Sequence, residues 1–191
     1  LGALGDVIMA EGVMRCIRQH YPESHITLMT EPLYASFMQK APHFDEVLPY
    51  KRVPRWHFAS QRAVKRRLKS GGYNLVIDLQ NSSHSRRFQS WLQDAFISST
   101  SRYADVRYRR DASRGLASRE YLREQAETIG VAMSVGYLSD VTWAAEDVSS
   151  ILAQHKIKNG FAWKAISNFQ ISSNVKKLTV RNFDYTTTCS I

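Results

Sequence analysis

Cysteine is nearly absent from this chain: Cys16 and Cys189 stand near opposite ends, and neither belongs to a CxxC pair. A disulfide framework and a cysteine-based zinc site are thereby excluded, and free thiols in a reducing compartment are expected. The six histidines are scattered, with no HExxH and no other i, i+4 pair, so no metal site is expected. No apolar run approaches the roughly 18–20 residues that a membrane span needs. No basic stretch leads into an apolar one at the start, so no signal peptide is expected, and the first residues read as an interior stretch of a longer protein. GxGxxG and a P-loop lysine are also missing, which leaves a dinucleotide or triphosphate site, and with it a nucleotide-dependent oxidoreductase, poorly supported. No internal repeat or low-complexity segment is present.

Acid is lacking over one long interval. Between Glu46 and Asp78 there is none, yet Lys51, Arg52, Arg55, Arg62, Lys65, Arg66, Arg67 and Lys69 fall there, within a chain of net charge +9. Such a block attracts phosphates and carboxylates, whether of nucleic acid, a lipid surface or a phosphorylated sugar. A solvated helix face is the plain alternative for Arg62 to Lys69.

What is present is the alternation of an α/β protein. Val7 to Gln19 has helical spacing, with Met9, Val13 and Ile17 in one row and Ala10 and Met14 beside it. His25 to Thr30 reads as a strand. Leu33, Tyr34, Phe37 and Met38 give a short helix, and Val47-Leu48 a second strand. Phe58 to Ser70 is a basic helix stopped by Gly71-Gly72. Asn74 to Leu79 is a continuous apolar strand of the kind buried on both faces in a parallel sheet. A polar loop, Gln80 to Ser85, follows. Phe88, Trp91 and Leu92 suggest a helix, and Tyr121, Leu122, Gln125 and Ile129 another that ends at Gly130. Strand–helix alternation predicts a parallel, doubly wound sheet with flanking helices. Ligands on such sheets sit outside the carboxyl ends of the strands, which here means Gly2–Asp6, Thr30-Glu31 and Asp78–Ser85.

Gly2 and Gly5, three apart before a helix, suit a tight turn at a helix N-terminus. Asp6 would stand in the first helical turn, where an acid complements the dipole and commonly caps the helix. Its functional alternative is a carboxylate at the cleft that accepts a proton. Asp78, Gln80 and Asn81 either line the cleft or only anchor the loop. His84 among Ser82, Ser83 and Ser85 is no evidence for a triad, because adjacency in sequence is not triad geometry.

The segment Leu1-Gly-Ala-Leu-Gly-Asp-Val-Ile-Met-Ala10 resembles the opening signature of the lipopolysaccharide heptosyltransferases, glycosyltransferase family nine. Gly71-Gly-Tyr-Asn-Leu-Val-Ile-Asp-Leu-Gln80 is similar to a second family segment, and His20-Tyr-Pro22, Ile26–Thr30 and Phe44–Val47 match the rhythm between them. The resemblance runs from Leu1 to about Ala162 and covers the N-terminal half of the family only. It implies a Rossmann-like domain, one of the two that face each other in the GT-B arrangement. It also implies inverting transfer of a sugar from a nucleotide-activated donor, ADP-heptose in type, to an anionic glycolipid of the lipopolysaccharide core. Asp6 would be the catalytic base, and Lys51, Arg52, Arg55, Lys65 and Arg66 would bind the acceptor. No cofactor and no nucleic acid are implied. The expected location is the cytoplasm, with peripheral contact at the inner face of the bacterial inner membrane.

Three departures qualify the resemblance. The family has a strand before the position of Leu1, and it usually has Pro where Glu11-Gly12 stands; Gly within a helix costs about 1 kcal/mol relative to Ala. From Trp163 onward the sequence no longer resembles the family, and residues 163–191 read as a poorly ordered tail beside a domain of residues 1–162. The donor-binding half is therefore expected to be missing and the chain inactive alone, since transfer needs both substrates held in line. The rival from another class is a non-catalytic basic module that binds nucleic acid or an anionic membrane surface.

Overall fold

The computed structural model describes residues 4–54, 56–133 and 137–145. The tail expected at 163–191 and the end of the domain expected at 162 lie outside these residues, as do Gly2 and Arg55.

The first helix, α1 (Leu4–His20), carries Asp6 in its first turn and Arg18 and His20 in its last, the charge order that a helix dipole favours. It buries two stripes rather than one. Val7, Ala10 and Met14, at helical spacing, pack against Tyr34, Phe37 and Met38. Val13, Cys16 and Ile17 pack on the other side with Ala126 and Val131. Met9, expected in the row of Val13 and Ile17, is only half-buried. Between the stripes, Glu11 and Gly12 are also buried. A Cβ at Gly12 would lie 1.8 Å from the carbonyl oxygen of Tyr137. The glycine thus admits a backbone-to-backbone contact that no side chain allows, which outweighs its poor helix propensity.

Strand β1 (Thr27–Thr30) leads into α2 (Pro32–Met38), with Pro32 opening the first turn, where it costs no backbone hydrogen bond. Strand β2 (Glu46–Pro49) pairs with β1 in parallel, Leu28 opposite Val47 and Met29 opposite Leu48. Helix α3 (Phe58–Ser70) buries Gln61 and Leu68 and turns Arg62, Lys65, Arg66 and Lys69 to solvent. Gly72, at φ +59°, supplies the left-handed turn after it. Strand β3 (Leu75–Ile77) and the short α4 (Ser85–Gln89) follow, then β4 (Phe96–Ser99) and β5 (Val106–Arg107), and a 3₁₀ turn at Ala112–Arg114. Helix α5 (Ser118–Glu127) stops short of Gly130, which has φ +83°, and a second 3₁₀ turn covers Thr142–Ala144.

The α/β class, the parallel pairing and the flanking helices are as expected. The strands, however, form two ladders among the described residues: β1–β2, and β3–β4–β5 with Val76 opposite Ile97 and Ser98 opposite Val106. One consequence corrects the expectation for β3. Leu75, Val76 and Ile77 are half-buried instead of buried, because the strand has a neighbour on one edge alone among the described residues. Strands β4 and β5 escaped sequence reading. Ser98 and Ser99 are fully buried where an apolar run would have signalled a strand, and Ser99 Oγ donates to Gln89 Oε1 at 3.2 Å.

Candidate functional site

A cleft of about 820 Å³ opens at the carboxyl ends of β3 and β5. Its wall from α1 is Asp6 and Met9, its floor is Gln80 and Asn81, and its far side is Arg107, Arg109 and Arg110. Asp6 is half-buried, and its side chain makes no hydrogen bond among the described residues. The capping bond that is the ordinary use of such an Asp is not formed to any of them.

The floor is held by Asp78. Its Oδ1 accepts from the backbone N–H of Gln80 at 3.0 Å and of Asn81 at 2.9 Å, and its Oδ2 accepts from Gln89 Nε2 at 2.7 Å. With both oxygens committed and the residue buried, Asp78 anchors the loop, the second of the two uses expected for it. Asn81 sits at φ +51°, a left-handed conformation that Asn tolerates better than most residues. Its side chain is occupied at both ends: Nδ2 donates to Gln125 Oε1 at 2.7 Å, and Oδ1 accepts from the Thr100 N–H at 2.7 Å. Gln125, fully buried, passes the connection on by donating to the carbonyls of Asp78 and Ser98, each at 3.2 Å. Two strand ends, those of β3 and β4, and α5 are thereby fixed around one amide pair.

Arg107 and Arg109 are exposed and form no ion pair among the described residues. Arg110 lies over the Tyr121 ring, 4.1 Å from its centroid, and Tyr121 Oη donates to the Asp111 carbonyl at 2.9 Å. Sequence reading missed these arginines. Three of them within Arg107-Tyr-Arg-Arg110 were the available signal, but the strand that aims them was not recognised. The cleft thus sets one carboxylate across from a group of guanidiniums, an arrangement that can hold an anionic molecule beside a proton acceptor.

The other expected residues lie elsewhere. Gly5 is exposed at the start of α1. Arg52 Nε is 2.9 Å from Glu31 Oε1 and borders a separate cavity with Tyr50 and His84. Lys51 is exposed, and Lys65 and Arg66 stand on the outer face of α3, apart from the cleft lining. Burial, reinforced by Arg87 and Arg52, holds His84 below the ordinary histidine pKa, and its Nε2 is 3.0 Å from Tyr50 Oη. Ser82 and Ser85 bond each other's backbone, at 2.9 and 3.1 Å, and so shape the start of α4. Among the described residues no group of three or more metal-ligating side chains occurs, and no helix is long and apolar enough to cross a membrane.

No family model and no curated protein sequence matches the chain. Among solved structures, it is similar to the crystal structure of the glycosyl transferase family 9 from Veillonella parvula DSM 2008. The TM-score is 0.66 at 18% sequence identity, over 83% of this chain and 48% of that one. At this identity the likeness shows the fold, and the chain spans about half the length of that structure.

Proposed function

We propose that this chain is the acceptor-side half of an inverting glycosyltransferase of the heptosyltransferase type. The observation that carries the proposal is the placement of Asp6 and the exposed Arg107 and Arg109 around one cleft at the carboxyl ends of the strands. Likeness in fold to a family 9 glycosyl transferase supports it. In this reading the arginines hold the phosphates or carboxylates of an anionic core glycolipid. Asp6 takes the proton from the acceptor hydroxyl as that oxygen attacks the anomeric carbon of a nucleotide-activated heptose. The bond from that carbon to the nucleotide diphosphate breaks on the opposite face, which inverts the centre. Lys51, Arg52 and Arg55 are candidates for a further anionic group of the acceptor. In this reading the donor is held by a second domain. The work is cytoplasmic, at the inner membrane face where such acceptors reside.

Titration of the chain with a phosphorylated core glycolipid tests this. Saturable binding that the double variant Arg107→Ala/Arg109→Ala weakens about tenfold or more is expected. Binding that ignores the glycolipid's identity counts against it.

A second reading rests on a different surface. Trp56 and Phe58 are 72% and 75% exposed beside the basic face of α3. Aromatic and basic groups together suit a non-catalytic module that docks on an anionic membrane surface or nucleic acid. Binding to anionic vesicles or to RNA that falls steeply with salt, unaffected by the Arg107→Ala/Arg109→Ala change, would favour it.

A further inference from the structure

Residues 51–54, which carry Lys51 and Arg52 from β2 toward α3, are pinned at Val53. Its backbone N–H donates to Tyr50 Oη at 3.3 Å, and its carbonyl accepts from Gln61 Nε2 at 2.9 Å. Gln61, buried on α3, also donates to the Pro54 carbonyl at 3.2 Å, where the His57 N–H donates as well at 3.1 Å. Both side chains that grip Val53 are buried, whereas Lys51 and Arg52 beside it face solvent.

The grip at Tyr50 depends on one proton. Tyr50 Oη is also 3.0 Å from His84 Nε2. A backbone N–H can only donate, so the tyrosine oxygen accepts from Val53, and its own single proton is left for His84. That arrangement needs His84 to accept at Nε2, as a neutral imidazole with its proton on Nδ1. A protonated His84 has no lone pair to offer. It would donate to the tyrosine oxygen, compete there with Val53, and leave the hydroxyl proton of a buried tyrosine without an acceptor among the described residues.

The surroundings favour the neutral ring. His84 packs edge-on against Phe88, with centroids 5.4 Å apart, and lies tilted against Tyr50 at 5.6 Å. Burial, then Arg87 of α4 and Arg52 of the pinned segment, act against a charge on the ring, and Glu31 after β1 opposes them. Glu31 is itself engaged by Arg52 at 2.9 Å, and Asp78 after β3 has both oxygens committed, so neither carboxylate is free to pair with the ring.

We infer that Tyr50, Gln61 and His84 are positioning residues for the basic segment at Lys51 and Arg52, and that proton uptake by His84 releases this latch. A released segment no longer holds its two cations in fixed places, so binding of an anionic group through them weakens as pH falls. That consequence rests on the reading above in which these cations meet an anionic group of the acceptor. A bystander histidine has the reverse sign, because its charge in acid would strengthen the hold on an anion. A ring kept neutral in the closed arrangement contributes its stabilisation above the ordinary histidine value near ~6.5 and loses it as pH falls through the lower, folded value.

The test uses the full chain at about pH 7.5 and about pH 5.5, a window above the ordinary carboxylate range. Amide exchange at Val53, expressed as protection over the intrinsic rate at each pH, reads the latch with no ligand present. In the wild type this protection should fall about fivefold or more in acid. His84→Gln, whose amide can accept from Tyr50 and does not titrate, should keep its protection at both values. Tyr50→Phe should lose it at both. A fall that His84→Gln shares in full, no fall in the wild type, or full protection in Tyr50→Phe would overturn the inference. Affinity for the phosphorylated core glycolipid is taken as the ratio of His84→Gln to wild type, so that titration of the ligand's own phosphates cancels. The ratio should be about one at the upper pH and rise about threefold at the lower. A ratio that stays level or falls in acid would overturn the release of the cations. Absence of glycolipid binding by both proteins, with the Val53 results as expected, would count against the acceptor reading and leave the latch standing.

Discussion

Glu11 Oε1 lies 2.7 Å from His43 Nε2, with both side chains buried between α1 and the turn before β2. The other carboxylate oxygen accepts from the backbone N–H of Asp140 at 2.6 Å, and Trp143 Nε1 is 3.4 Å from Oε1. One carboxylate in the middle of the first helix therefore fastens the described end of the chain to its beginning. Glu11→Ala leaves three polar partners unmatched, of which His43 is buried. A loss of about 3–5 kcal/mol of unfolding free energy is expected in urea denaturation. A loss under about 1 kcal/mol would mean that the cluster is not closed in solution.

The same carboxylate sets an acid limit. Burial raises its pKa, but the hydrogen bond from His43, the backbone bond from Asp140 and the His43 charge together outweigh burial and leave it below the ordinary glutamate value. A depressed folded pKa contributes stability above the unfolded pKa, near ~4.3, that is lost as pH falls through the folded value. Melting temperature should consequently fall more steeply below about pH 4.5 in the wild type than in Glu11→Gln. Parallel acid limbs would remove Glu11 as the cause.

Gly12 offers a test in which two effects have opposite sign. By helix propensity alone, Gly12→Ala should stabilise α1 by about 1 kcal/mol. The Tyr137 carbonyl oxygen, 1.8 Å from the added Cβ, forbids it without moving backbone. The contact should win, with a net loss of about 1–3 kcal/mol and faster amide exchange at 137–145. A stabilised variant would show that this segment is not docked against α1.

The contrast between these two neighbours explains what could be read from sequence. Periodicity located α1 and α2, whose buried residues are mostly apolar and helically spaced, short apolar runs located β1 to β3, and a basic stretch stopped by Gly71-Gly72 located α3. Periodicity could not anticipate that Gly12 is chosen by a contact 125 residues away in sequence, nor that Glu11 is buried. Strand β4 hides its position behind buried serines, and without β4 and β5 the arginines at 107–110 had no known direction. Asp6 was legible because a local turn before a helix carries it. Gln80 and Asn81 were legible as the loop after an apolar strand, and the far side of the cleft is assembled from segments that carry no motif.

Asn81 gives a measure of how firmly the cleft floor is held. Asn81→Ala forfeits the bonds to Thr100 and Gln125, strands part of a buried amide and keeps an unfavourable φ of +51°. About 2–4 kcal/mol should be lost. Asn81→Gly relieves the backbone but not the bonds, so its loss should be smaller by about 1 kcal/mol. If the glycine variant is the weaker of the two, φ is not what constrains this position.

The opposite rim of the cleft should respond to alkali. Tyr108 follows β5, lines the cleft, and donates from its hydroxyl to Glu124 Oε2 at 2.6 Å. Glu124 is bound in turn by Arg114, Nη2 to Oε1 at 2.9 Å. Burial, and then the hydrogen bond to this carboxylate, push the phenol up to about 12. A raised folded pKa gives stability that is complete below the unfolded value near ~10 and disappears as pH rises through the folded one. Tyr108→Phe should therefore cost about 1 kcal/mol at neutral pH, because one bond is lost while Glu124 keeps its arginine. Between pH 10 and 12 that deficit relative to wild type should shrink, since the wild type is then losing the same bond. Absorbance titration of the phenols should place the Tyr108 step, identified by its absence from the variant, later than the ordinary tyrosine value near ~10. A Tyr108 step near 10 would mean that the Glu124 contact is open in solution, and with it the link between β5 and α5 that holds this rim.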